Sequence, residues 1–275
     1  MSRSDAGSRA DSAPSGVDTS VPHSARIYDW WLGGKDNFAV DRATGAAMLE
    51  AIPTLRMMAA ENRRLVHRIA RYLVAEAGIR QFLDIGTGIP TRPNLHEIAQ
   101  AIAPETRVVY VDNDPIVLAH ARALMMSHPA GRSEYVHADL RDPERILAEV
   151  TRRGTLDLGQ PVALTLIAIL MLLGEADDPI GRVRALTDAL PSGSYLAITH
   201  PTPDFNPEAV AAAVAAATAN GVTLVARTRA EVERFFDGWE LVDPGIVPVP
   251  AWRPDGAPPV DPEAVYYWSG VARKR

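Results

Sequence analysis

From residue 79 onward, short apolar runs alternate with amphipathic stretches. RQFLDIG (80–86), RVVYVD (107–112), SEYVHAD (133–139), PVALTLIAI (161–169) and GSYLAITH (193–200) read as five strands. Between them, NLHEIAQAIA (94–103), PIVLAHARALM (115–125), DPERILAEVTRRG (142–154) and DDPIGRVRALTDAL (177–190) read as helices, with Pro115 suited to a first helical turn. PVALTLIAI is apolar on both faces, as a central parallel strand must be. This β-α alternation predicts a mostly parallel sheet with helices on both faces.

On either side of this region the rhythm differs. Residues 41–76 read as helical, with Asp41 as a first N-cap. Pro53 opens a second segment whose Leu65, Val66, Ile69 and Leu73 recur at helical spacing, and Gly78 suits a C-cap. Beyond residue 200 come an Ala-rich helix, a segment opened by a Thr228–Glu231 capping box, and two strand candidates, WELVDPG and AVYYWSGVARK, around a Pro-rich loop (248–262). The division that follows is a disordered tail over 1–24, an N-terminal helical extension or lid over 25–78, and a main domain over 79–275.

Composition narrows the function classes. With 28 basic and 34 acidic residues the chain carries a formal charge of −6, which gives no electrostatic footprint for nucleic acid. There is no Cys, so disulfides, thiolate nucleophiles and Cys-ligated zinc are excluded. The histidines at 23, 67, 96, 120, 128, 137 and 200 show no metal-ligand spacing, so no metal is expected. The most apolar stretch, VALTLIAILMLL (162–173), is 12 residues long, too short to span a bilayer. The 1–24 segment has no apolar run of the signal-peptide kind, so a cytoplasmic protein without membrane attachment is expected. A homodimer is compatible with these features.

The strongest chemical signal is FLDIGTGIP (82–90), a strand running into Gly86-Thr87-Gly88. Glycines there allow a tight turn and close backbone approach, and the next helix offers free N–H groups. Asp112 stands 28 residues after Asp84, at the end of the second strand, where a carboxylate can bond both ribose hydroxyls. Asp139 stands 27 residues further, at the end of the third. Acidic residues at three successive strand ends, with their neighbours Asn113 and Leu140, mark an adenosine site at the carboxyl edge of the sheet. A dinucleotide fingerprint would need glycine where Thr91 stands, and GGK at 33–35 lacks the spacing of an ATP phosphate loop.

This combination resembles the class I S-adenosylmethionine-dependent methyltransferases. The resemblance implies a Rossmann-like three-layer αβα sandwich whose seven-stranded, mostly parallel sheet ends in an antiparallel last strand. It also implies that Asp139 lies near the adenine. The segments ARIYDWWLGGKDNFAVDR, QFLDIGTGIPT, NLHEIAQ, VVYVDNDPIVLAHARALM and RTRAEVERFFDGWELVDPGIVPVPAWRP are similar, more specifically, to a family of S-adenosyl methyltransferases found mainly in actinobacteria and long catalogued as a domain of unknown function. That likeness spans about 25–275 and implies S-adenosyl-L-methionine as cofactor, with S-adenosyl-L-homocysteine as product. The acceptor expected is a small molecule methylated on O or N. A His is frequent in that family near the end of the fourth strand, where this chain has Met171 or Leu172.

Roles for further residues follow from this reading. His200, at the end of the fifth strand, is the candidate general base. In this fold class the N-terminal extension often lies over the cofactor, so YDWWLGGKDNF (28–38) reads as a lid. Lys35, Asn37 and Arg63 are candidates for the methionine end, and Tyr28, Trp31, Arg92 and Asn94 for contact with the acceptor. The competing reading is a protein that binds the cofactor without transferring its methyl group.

Overall fold

The structure, a computed structural model, describes residues 17–124 and 127–275. Its centre is one twisted sheet. The parallel strands are β1 (Gln81–Ile85), β2 (Arg107–Asp112), β3 (Arg132–His137), β4 (Ala163–Ile167) and β5 (Tyr195–Pro201). β8 (Tyr267–Arg273) runs antiparallel beside β5, giving the order β3-β2-β1-β4-β5-β8. β6 (Glu240–Leu241) and β7 (Val247–Pro248) are two-residue pieces that both pair with β8. The sheet therefore has eight strands where seven are expected, because the turn Asp243-Pro244-Gly245 divides the strand beyond β8.

Side-chain alternation along each strand sorts the core into two layers. Phe82, Val108, Tyr110, Ala163 and Ala197 face one side, and Leu83, Val109, Val111, Leu164 and Leu196 the other. On the first side lie α1 (Ser24–Trp31), α2 (Ala39–Ala51), α3 (Leu55–Arg71), α4 (Leu95–Ile102), α5 (Pro115–Leu124) and α8 (Pro207–Ala219). On the second lie α6 (Pro143–Arg153), α7 (Pro179–Asp188) and α9 (Arg229–Glu233). Small residues let α8 approach α2 closely: it buries Val210, Ala213 and Ala217.

The N-terminal helices share this core: Ile27, Trp31, Met48, Leu65, Ile69 and Leu73 join the layer that covers Phe82. Their starts differ from the expectation. Asp41 is the third residue of α2, not its N-cap, and its carboxylate accepts the Phe38 N–H at 2.8 Å and the His23 N–H at 2.9 Å. α3 begins at Leu55, two residues beyond Pro53, and runs on into a π-helical turn, Tyr72–Glu76. Of the expected tail, residues 1–16 lie outside the described residues. The stretch from Asp18 to His23 is held down by Arg26, which donates to the carbonyls of Asp18 at 3.2 Å and Val21 at 2.8 Å. Among the described residues, no helix is long and apolar enough to cross a membrane, and no cluster of His, Asp and Glu could hold a metal ion.

Candidate functional site

The sheet order reverses between β1 and β4, and a cleft of about 260 Å³ opens at the carboxyl ends of the strands there. Its floor is the Gly86–Thr91 turn, with the ends of β2 and β4 beside it. Pro22 and His23, just before α1, and Ser24, Ala25, Tyr28 and Arg63 from the N-terminal helices line the cleft as well. Gly86 and Gly88 have φ of +72° and +66°, the left-handed region that a side chain makes costly. A Cβ on Gly86 would fall 2.4 Å from Cγ1 of Ile169, whereas one on Gly88 would meet nothing within 4 Å. The first glycine lets β4's following turn close against β1. The second leaves open space in front of the backbone.

Three carboxylates surround that space. Asp112 accepts the Gly88 N–H at 2.8 Å on one oxygen and the Asp114 N–H at 3.0 Å on the other. Each oxygen keeps a further lone pair for a ligand hydroxyl. Burial pushes the Asp112 carboxyl above its ordinary range, the two backbone N–H groups oppose this, and neighbouring Asp114 adds to it. Asp84 accepts from the Thr165 hydroxyl, and burial again raises its pKa, against Thr165, Thr87 and the nearby charge of Arg63. Asp139 accepts from the Asn113 side-chain amide at 2.7 Å and from the Arg141 N–H at 2.8 Å. Arg63 donates to the Thr91 carbonyl at 2.8 Å, which sets its guanidinium at the same rim. Thr87, Leu140, Tyr28 and Asn94 also line the cleft.

Five sequence candidates lie elsewhere. His200 is wholly buried. Its Nε2 meets Arg227 Nη1 and its Nδ1 meets the Pro201 carbonyl, both at 2.9 Å, and its ring stacks on Phe235. With both ring nitrogens engaged and the ring outside the cleft, it is not placed to serve as the base there. Burial above all holds its pKa down at about 4. The strand end that suggests a site position points this residue into the second core layer. Trp31 packs in the core and donates from Nε1 to the Gly45 carbonyl at 3.2 Å. Asn37 is a buried clamp: its amide donates to Asp29 at 2.8 Å and to the Gly34 carbonyl at 3.0 Å. Lys35 is exposed on the turn that this clamp shapes. Arg92 is exposed and pairs with Glu97 at 3.6 Å.

Other residues enter the site without a sequence signal. His23 stands 3.0 Å from Asp114, and Arg26 lies 3.5 Å from both Asp41 and Asp114. This ties the N-terminal segment to the end of β2, next to Asp112. Arg141 bridges Asp177 and the Leu172 carbonyl at 2.9 and 2.8 Å. Ala168, the residue after β4, has φ +53° in the left-handed region, and its N–H donates to the Thr199 hydroxyl at 3.0 Å. Gly221–Thr223 and Met171–Leu173 complete the wall. Of these, His23, Arg26 and Arg141 carry side chains that a reading for chemistry singles out, and His23 stands in a segment read as tail.

Known proteins share the family and the fold. The family described as S-adenosyl methyltransferase matches residues 10–275. A family protein from Streptomyces avermitilis, assigned to a domain family of unknown function, is 51% identical. Its crystal structure superposes with a TM-score of 0.91, covering 94% of this chain and 99% of that one. A methyltransferase candidate from Thermobifida fusca is 42% identical with a TM-score of 0.87, covering 97% and 100%. An S-adenosylmethionine-dependent methyltransferase from Anabaena variabilis shares the fold at 14% identity and a TM-score of 0.51, over 75% and 84% of the two chains. No curated protein matches the sequence.

Proposed function

We propose a function for the cleft from one premise: the chain belongs to the S-adenosyl methyltransferase family and is an S-adenosylmethionine-dependent methyltransferase of the class I fold. Its cofactor binds at the Gly86–Gly88 turn, and the acceptor is a small molecule presenting an oxygen or nitrogen lone pair. The single observation that carries this is the meeting of Asp84, Asp112, Asp139 and Arg63 in one cleft around an open glycine turn.

The donor set fits the cofactor. Asp112 has a free lone pair on each oxygen for the two ribose hydroxyls. Asp139 and Leu140 present one acceptor and one apolar surface, as the edge and face of an adenine require. Asp84 and Arg63 carry opposite charges beside each other, matching the ammonium and carboxylate of an amino-acid tail. When bound, the cofactor supplies a methyl group already activated on a sulfonium. The chain's residues then need to exclude water and hold the acceptor in line. Tyr28 and Leu32 from the N-terminal side, Met171 and Leu172 from the β4 side, and Val222 from the α8–α9 connection form the remaining wall. With His200 turned away, acceleration rests on positioning, and the acceptor proton leaves to solvent or to a carboxylate of the cleft.

Titration calorimetry with S-adenosylhomocysteine tests the assignment. Micromolar binding is expected for the native chain, weakened about tenfold or more by Asp112→Ala through loss of two charge-assisted hydrogen bonds. Unchanged affinity in that variant would sink the ribose assignment.

A further inference from the structure

Beyond the cleft lies a second, smaller chamber of about 40 Å³, lined by apolar residues that include Trp31, Met48, Met58, Val210, Ala213 and Tyr267. It sits between α2, α8 and the β5–β8 end of the sheet. The side chain that borders both spaces is Met171, in the turn after β4. Its backbone is fixed, because Val225 N–H donates to the Met171 carbonyl at 2.8 Å. Its side chain is not fixed in the same way: its hydrogen-bond partner is the Tyr267 hydroxyl, donating to Sδ at 3.4 Å, and a thioether is a weak acceptor. An unbranched thioether with three rotatable bonds can swing where a branched side chain could not. Apolar walls of this kind favour hydrocarbon over water.

We propose that Met171 is a movable partition, and that the methyl acceptor carries a short apolar arm that passes it into this chamber. The polar, methyl-accepting end of that molecule stays in the cleft near Tyr28. Burial of the arm fixes the acceptor's direction, which is the positioning an activated methyl group requires. The substrate class is therefore a small amphiphile, a hydroxyl or amine bearing an alkyl or aryl substituent. This inference rests on the reading of the cleft as the methyl-transfer site.

The test uses phenol, 4-ethylphenol and 4-butylphenol, titrated by NMR into the full chain saturated with S-adenosylhomocysteine. Each CH₂ that enters the chamber tightens binding about fourfold, so 4-ethylphenol is expected to bind about fifteenfold more tightly than phenol. Ala213→Leu, which fills the chamber from α8, is expected to abolish that gain and leave the affinity for S-adenosylhomocysteine unchanged. Should that variant not fold, Val214→Phe on the outer part of the same wall serves instead. Met171→Ala joins the two spaces and is expected to favour 4-butylphenol further. Equal binding of the phenols to the native chain, no binding of any of them, or a gain that survives in the filled variant overturns the proposal. Failure of S-adenosylhomocysteine to bind overturns the reading of the cleft, and this inference with it.

Discussion

Arg227 Nη1 lies 2.9 Å from Nε2 of His200, beneath the segment that follows β4. A guanidinium only donates, so the imidazole accepts at Nε2 and donates from Nδ1 to the Pro201 carbonyl. The same guanidinium donates to the carbonyls of Leu170 at 3.2 Å and Leu173 at 3.1 Å, and pairs with Glu175 at 2.9 Å. His200 thus orients the group that holds Met171–Leu173 in the cleft wall.

His200 makes stability depend on acidity. Its folded pKa of about 4 lies below the ordinary 6.5, chiefly through burial, so between those values the unfolded chain binds a proton that the folded chain does not. Stability is then full above about pH 6.5 and falls as pH drops towards 4, by up to ~3 kcal/mol. Urea midpoints at pH 7 and 4.5 measure this. His200→Gln is expected to flatten the dependence while leaving the shape of the rate–pH profile unaltered, since the imidazole takes no proton from the acceptor.

The two glycines of the turn respond differently to the same substitution. Gly86→Ala places a methyl 2.4 Å from Ile169 at a positive φ, so it strains the fold and is expected to lower the melting temperature by several degrees. Gly88→Ala meets no atom, costs about 1–2 kcal/mol for its left-handed backbone, and projects into the cleft. Its larger effect is expected on S-adenosylhomocysteine affinity. Thermal melts and calorimetry on the pair separate the two.

Arg26 neutralises two buried carboxylates at once. Asp41 and Asp114 lie within 3.5 Å of it, and all three side chains are at most 5% exposed. Arg26→Ala leaves those charges with less compensation, an expected loss of about 3–5 kcal/mol. Because Asp114 adjoins Asp112, cofactor affinity is expected to fall as well, whereas Arg26→Lys keeps part of both. Chemical denaturation and calorimetry read the two effects.

Lys35 and Arg92 provide controls. Both are exposed and lie outside the cleft, so Lys35→Ala and Arg92→Ala are expected to change stability by less than about 0.5 kcal/mol. Affinity for S-adenosylhomocysteine should match that of the native chain. A tenfold loss for Lys35→Ala would return that residue to the cofactor's methionine end, and one for Arg92→Ala would return Arg92 to the ligand site.

The strand ends were legible because their signal is local. Asp84, Gly86, Gly88 and Asp112 each sit at or near the end of a short apolar run, and a parallel sheet brings such ends to one edge. His200 has the same local signature, yet its place in β5 beside β8 and the turn after α9 put it in the core beside Phe235. Asn37 and Trp31 read equally well as ligand contacts or packing, since a polar amide or an indole serves either purpose. Their partners, Asp29 and the Gly45 carbonyl, lie 8 and 14 residues away. His23 was hidden by the Ser-, Gly- and Asp-rich segment around it.

The sequence by itself determined the layer order, the glycine turn and the acidic strand ends, because apolar periodicity and left-handed backbone are properties of neighbouring residues. Only the tertiary structure decided which polar side chains reach the cleft. That choice depends on pairings across 27 to 96 residues: Arg227 with His200, His23 with Asp114, and Met171 with Tyr267. No local pattern encodes such pairings, because each partner needs only some complementary group nearby, and the packing of helices on the sheet selects which one arrives.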